Sequence, residues 1–173
     1  MQLTPTMQRL VLHWGEMAAR WGISRSVAQM HALLFLSPAP LTADDIAETL
    51  NVARSNVSVS LKELQSWDLV SVTHVLGDRR DYFQARKDIW EVLTTIVDGR
   101  KRREIDPTIQ VLRECAAESK QDTAMPAEVR ERLGSMLEFL EEMSGWYDQI
   151  RAMPRPTLLK LMRMGSRVAK VVS

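Results

Sequence analysis

Cysteine is almost absent from this chain. The single Cys115 rules out an internal disulfide and fits a reducing compartment. Apolar runs are short, and none approaches the roughly 20 residues that a membrane-crossing helix needs. The N-terminus lacks the basic-then-apolar layout of a secretion leader, so the expected location is the cytoplasm. Histidines number three, and His13, His31 and His74 lie on different segments with no cysteine or carboxylate at metal-ligand spacing. Glycine-rich phosphate loops and nucleophile motifs are missing as well. These gaps argue against an enzyme, a metal site or a resident cofactor. A net charge of +1 says nothing as a total, but 173 residues at 45% hydrophobic content make one globular domain with an extension.

What the sequence does contain is organised around Leu41 to Trp67, LTADDIAETLNVARSNVSVSLKELQSW. Thr42 precedes Asp45 by three residues, an Asp version of the capping box that starts a helix. Ile46, Ala47 and Leu50 supply its apolar side, and Asn51 tolerates the left-handed conformation that ends it. After this corner Val57, Leu61 and Leu64 recur at helical spacing and point inward. Arg54, Ser55, Asn56, Ser58 and Ser60 are left on the outer side. Two short helices around a tight corner make a helix-turn-helix, whose second helix reads base edges in the DNA major groove with its first turns. The residue types suit that role: Arg54 can fork onto guanine, Asn56 can pair with adenine, and serines allow close approach. Thr42 and Lys62 flank this face as further DNA-binding candidates. The competing reading is an ordinary helical hairpin with a solvated polar face.

Downstream, Leu69 to Leu76 carries β-branched residues at alternate positions, followed by Gly77-Asp78-Arg79-Arg80 and then Asp81 to Ala85. This predicts a hairpin with a charged turn. Arg79 and Arg80 at its tip would reach phosphates or the minor groove, which makes the hairpin a wing.

The run LTADDIAETLNVARSNVSVSLKELQSWDLV followed by a strand and GDRRDYFQA resembles the winged helix of the MarR superfamily. Trp14-Gly15, Trp21-Gly22 and Asp88-Ile89-Trp90 resemble more narrowly its GbsR-type branch, whose described members regulate glycine betaine synthesis from choline. The likeness spans roughly residues 10 to 105. It implies a transcriptional regulator on double-stranded DNA and, through the branch, a choline-like effector. Ala53 departs from the pattern, because many members cap the reading helix there with serine. Asn51 or water takes over, or the helix start frays.

The flanking segments read as helices. Thr4 and Pro5 open the first, with Met7, Leu10, Val11, Trp14, Met17, Ala18 and Trp21 on its apolar side and Gly22 at its end. A second covers about Ser24 to Ser37. Past the wing, Asp88 to Asp106 is expected to be helical with Ile89, Trp90, Leu93, Ile96 and Val97 inward, capped off or bent at Pro107. Arg100 to Arg103 point all round such a helix and read as solvated surface more readily than as a phosphate site. From Pro126 onward, Val129, Leu133, Met136, Leu140, Met143, Tyr147 and Ile150 alternate at four and three residues, a seam for another helix. That seam serves packing within the subunit, a dimer interface, or both, and a helix-turn-helix reader gains from pairing two half-sites.

Charge separates along the C-terminal half. Residues 114–142 carry a net −5, whereas Arg151, Arg155, Lys160, Arg163, Arg167 and Lys170 face no acid in residues 151–173. The last stretch sets Leu158, Leu161, Met162, Gly165 and Val168 opposite these bases, which suits a dimer core, DNA or a membrane surface. Trp14, Trp21 and Trp90 can supply faces of an aromatic cage for a quaternary ammonium, although large aromatics at helical spacing are more often core.

The sequence therefore predicts a mainly α fold with a small β-wing: a winged helix-turn-helix over 1–87, including its N-terminal scaffold helices, and a helical dimerisation region over 88–173. The predicted function is a homodimeric DNA-binding regulator, a repressor, on a pseudo-palindromic operator, without integral membrane association. The alternatives are a winged-helix protein-interaction module and a membrane-associated adaptor.

Overall fold

The computed structural model describes residues 1–165. Val168, Arg167 and Lys170, named above, lie outside them. Helix α1 (Pro5–Arg20) begins where Thr4 Oγ1 accepts from the Met7 amide at 3.3 Å with Pro5 in the first helical position. It closes at Trp21, and Gly22 follows at φ +77°. Helix α2 (Arg25–Leu36) is buried on most sides: Met30, Leu33 and Leu34 form the centre of the core. Three carbonyls at its C-terminal end accept from one ammonium. Lys87 Nζ donates to Leu34 O at 2.6 Å, Phe35 O at 3.1 Å and Ser37 O at 2.5 Å, which satisfies groups a helix end otherwise leaves open.

The predicted corner forms as read. The Thr42 hydroxyl accepts from the Asp45 amide at 3.2 Å, and the Asp45 carboxylate accepts from the Thr42 amide at 2.8 Å, opening α3 (Ala43–Leu50). The Thr42 hydroxyl also donates to the Asp45 carboxylate, and this bond together with the one from the Thr42 amide holds the Asp45 carboxyl below its usual range. Asn51 ends α3 in the left-handed region at φ 52°, and α4 (Arg54–Ser66) follows. Its cap position, Ala53, gives no side-chain bond to the free amides.

Strands β2 (Val70–His74) and β3 (Asp81–Ala85) make the wing, pairing antiparallel with Val72 opposite Phe83. A third strand, β1 (Leu41–Thr42), pairs with the other edge of β3, giving the order β1-β3-β2. Two residues beside a helix cap carry no alternation, so this strand has no signal in the sequence. Leu41 and Phe83, opposite one another, join Val57, Leu61 and Leu64 of α4 in the core.

Three expectations need correction. Ser60 is buried, not outward, and its hydroxyl donates to Asn56 Oδ1 at 3.4 Å; four residues past Asn56, it falls between the inward Val57 and Leu64. In α5 (Ile89–Arg100) the inward stripe is Val92, Ile96 and Gly99, while Ile89 and Leu93 are exposed. The cause lies at Gly99, where a Cβ would stand 2.8 Å from the Trp67 ring, so the missing side chain brings this face against the indole. Pro107 does not cap off the helical run. A π-helical turn over Lys101–Ile105 joins α5 to α6 (Asp106–Ser119), and the wider turn accommodates the proline that cannot donate.

The chain forms two compact units, Met1–Gly99 and a second beginning at Arg100. The sequence expectation divides it at residue 87; Val92 and Gly99 belong to the core of the first unit, which carries the division further along. In the second unit α6 packs on α7 (Ala127–Ala152) through Ile109 and Leu112, with Arg113 Nε 2.6 Å from Glu141 Oε1. Lys101 turns inward from its basic run to Asp106 at 2.7 Å and Asp148 at 3.5 Å. Helix α8 (Arg155–Met164) follows, with Leu158 buried and Met162 exposed.

Candidate nucleic-acid interface

Helix α4 presents Ser55, Val59, Lys62 and Ser66 in one exposed row at spacings of four, three and four, with Arg54, Asn56 and Ser58 beside it. Between this face, the start of α3 and the wing lies a groove of about 310 Å³ lined by Arg54, Ser58, Lys62, Gln65 and Arg80 among others. Arg54 is held at two points: Nε donates to Asp44 Oδ1 and Nη1 to Ser58 Oγ, both at 2.8 Å. Among the described residues the Asn56 side chain makes only long contacts of 3.4 Å, donating to Ser26 and accepting from Ser60, so its amide remains available to a base. Ser55 and Lys62 are exposed. Thr42 lines the groove, but its side chain is buried and committed to the capping box. Val59, not among the residues nominated from the sequence, is 66% exposed, and on this face its methyl groups suit a thymine methyl.

The two wing arginines differ. Arg80 Nη2 lies 2.6 Å from Asp78 Oδ2 and 3.0 Å from the Tyr82 hydroxyl, which itself donates to Asp78 at 2.7 Å. Donors from Arg80 hold the Asp78 carboxyl far below its usual range, and the bond to Asp78 pushes the Tyr82 phenol up. Arg79, by contrast, is exposed at the turn. The turn itself is set by Gly77 at φ +85° and a bond from the Asp78 amide to the Val75 carbonyl at 3.0 Å. A clamped hairpin carrying one outward cation is suited to a narrow groove or a phosphate.

Residues 21–81, the stretch that carries α2 to the wing, match the family model described as MarR family. The chain is 24% identical over 136 residues to the HTH-type transcriptional repressor GbsR of Bacillus subtilis (strain 168), covering 76% of this chain and 74% of that one. A crystal structure of a transcriptional regulator superposes with a TM-score of 0.60 at 20% identity, over 84% of this chain and 99% of the other. Over residues 21–81 the chain is similar to the MarR family.

The other expected site residues divide. On α7, Leu133, Leu140, Tyr147 and Ile150 are half-buried, whereas Val129, Met136 and Met143 are exposed. The expected seam is therefore two stripes. The exposed one runs Met136, Phe139, Met143 and Trp146 at spacings of three, four and three, with exposures of 51, 61, 46 and 56%. Trp14 lies 6.4 Å from His31, ring to ring; Trp21 is exposed and Trp90 half-buried. Among the described residues no three His, Cys, Asp or Glu side chains gather as a metal site, and no helix is long and apolar enough to cross a membrane.

Proposed function

We propose that this DNA-binding transcriptional regulator acts as a homodimeric repressor on a pseudo-palindromic operator, with one α4 per half-site. The observation that carries the reading is the outer face of α4. It is long, mostly polar and exposed, and it stands beside a groove and a clamped wing. Arg54, Ser55, Asn56 and Ser58 face bases, Val59 meets a thymine methyl, and Lys62 and Arg79 meet the backbone or minor groove. The exposed stripe on α7 supports pairing through the second unit, because a continuous apolar row of this size on a solvated helix is a feature of association surfaces. Repression is inferred from the relative in Bacillus subtilis.

Fluorescence anisotropy with the duplex upstream of its own coding region, against a shuffled duplex, tests the reading across a range of salt. The expected result is about a thousandfold preference or more for the upstream duplex, with log affinity falling linearly in log salt. Equal affinity for both duplexes would overturn it in favour of a protein-docking winged helix.

A further inference from the structure

We propose that Asp44 is a positioning residue for base recognition: it fixes the Arg54 guanidinium for one base pair and repels phosphate when that base pair is absent. The proposal rests on the assignment of α4 as the reading helix. Asp44 is the second residue of α3, and Arg54 is the first residue of α4 on the other side of the corner. The left-handed Asn51 folds the chain so that these two helix starts face one another, and Arg54 Nε meets Asp44 Oδ1 at 2.8 Å. One turn further on, Ser58 Oγ accepts a hydrogen bond from Arg54 Nη1, also at 2.8 Å. A flexible side chain is thereby tied at two of its three nitrogens, and Nη2 is left for a ligand.

The contact is ill suited to a purely structural purpose. Its side chains are 53% and 75% exposed, the regime in which an ion pair adds little to stability. Its value lies in order. Arg54 untied would have to be immobilised on binding, and that loss of rotamer freedom would weaken every contact it makes. Asp44 also places a carboxylate on the lining of the groove beside Arg54 and Lys62. A duplex without the matching base brings phosphates towards this carboxylate and gains no hydrogen bonds from Arg54. Selectivity then comes from an attractive group and a repulsive one held together.

The test uses the full chain. Duplexes enriched from a random library define the preferred site, and anisotropy is then measured on that site and on its single-base-pair variants. The proteins compared are the parent, Asp44→Asn, Asp44→Glu, Arg54→Ala and the double variant Asp44→Asn/Arg54→Ala. Thermal unfolding midpoints close to the parent's confirm folding. Arg54→Ala is expected to flatten preference at one base pair per half-site. Asp44→Asn should lower preference about tenfold at that same base pair, in the range of one good bidentate contact, while binding a non-specific duplex more tightly. Asp44→Glu should retain most of the preference, and the double variant should match Arg54→Ala there. The proposal is overturned if Asp44→Asn keeps the parent's preference at that base pair, or loses preference at a different one. It is equally overturned if Arg54→Ala changes no base preference. A parent chain that enriches no sequence at all would instead sink the regulator assignment itself.

Discussion

His31 shows how a single residue can be legible in composition and silent in role. It is buried in the first unit, its Nε2 has no hydrogen-bond partner among the described residues, and the rings of Trp14 and Phe35 each lie 6.4 Å away. Burial, with the Lys87 cation nearby, lowers its pKa from 6.5 to about 4. The folded chain therefore holds the imidazole neutral. Between these two values the unfolded chain binds a proton that the folded one does not, so stability is fully present above pH 6.5 and is lost as pH falls towards 4. The loss expected from this residue is up to about 3 kcal/mol. Urea unfolding at pH 7.5 and 5 should show it, and His31→Leu should remove most of the difference. An unchanged slope in that variant would place the acid sensitivity elsewhere.

At the scale of elements, the helix-turn-helix was open to reading because its signals are local. The Thr42 to Asp45 box, Asn51 at the corner and the Val57, Leu61 and Leu64 stripe each lie within one element, and each has the structural consequence expected of it. What escaped depends on distant partners. The β1 strand exists only because β3 offers it an edge, and the α5 stripe is rotated because Trp67 occupies the space at Gly99. In the candidate site, Arg54 and Asn56 could be nominated from position and type. That Arg80 is committed to Asp78 needed the folded geometry. The α7 seam blended two faces for a similar reason: an alternation of four and three does not say which positions α6 will cover. One prediction follows from the exposed face. Met143→Glu with Trp146→Glu, both at exposed positions, should leave the helix content unchanged and shift the chain from dimer to monomer in sedimentation. In the wing, Arg79→Ala should reduce the salt slope of binding by about one while weakening all sequences alike. Arg80→Ala should instead speed hydrogen exchange across Asp78 to Tyr82, since it releases the clamp.

On the scale of the whole molecule, the chain is proposed to divide the work of an operator-binding protein between its two units. The first carries the reading helix and wing on a core built round α2, and the second carries an apolar helical face proposed to hold a twin. The claim on which this rests is that the outer side of α4 meets base edges. Asn56 is the most direct probe, because its amide is exposed, its present contacts are long, and truncating it leaves the core untouched. The decisive measurement is the affinity of Asn56→Ala and of the parent for the preferred duplex and each of its single-base-pair variants. A loss of about 1–3 kcal/mol confined to one base pair per half-site is the predicted result. A variant that binds every duplex as the parent does, or weakens evenly across all of them, would contradict it.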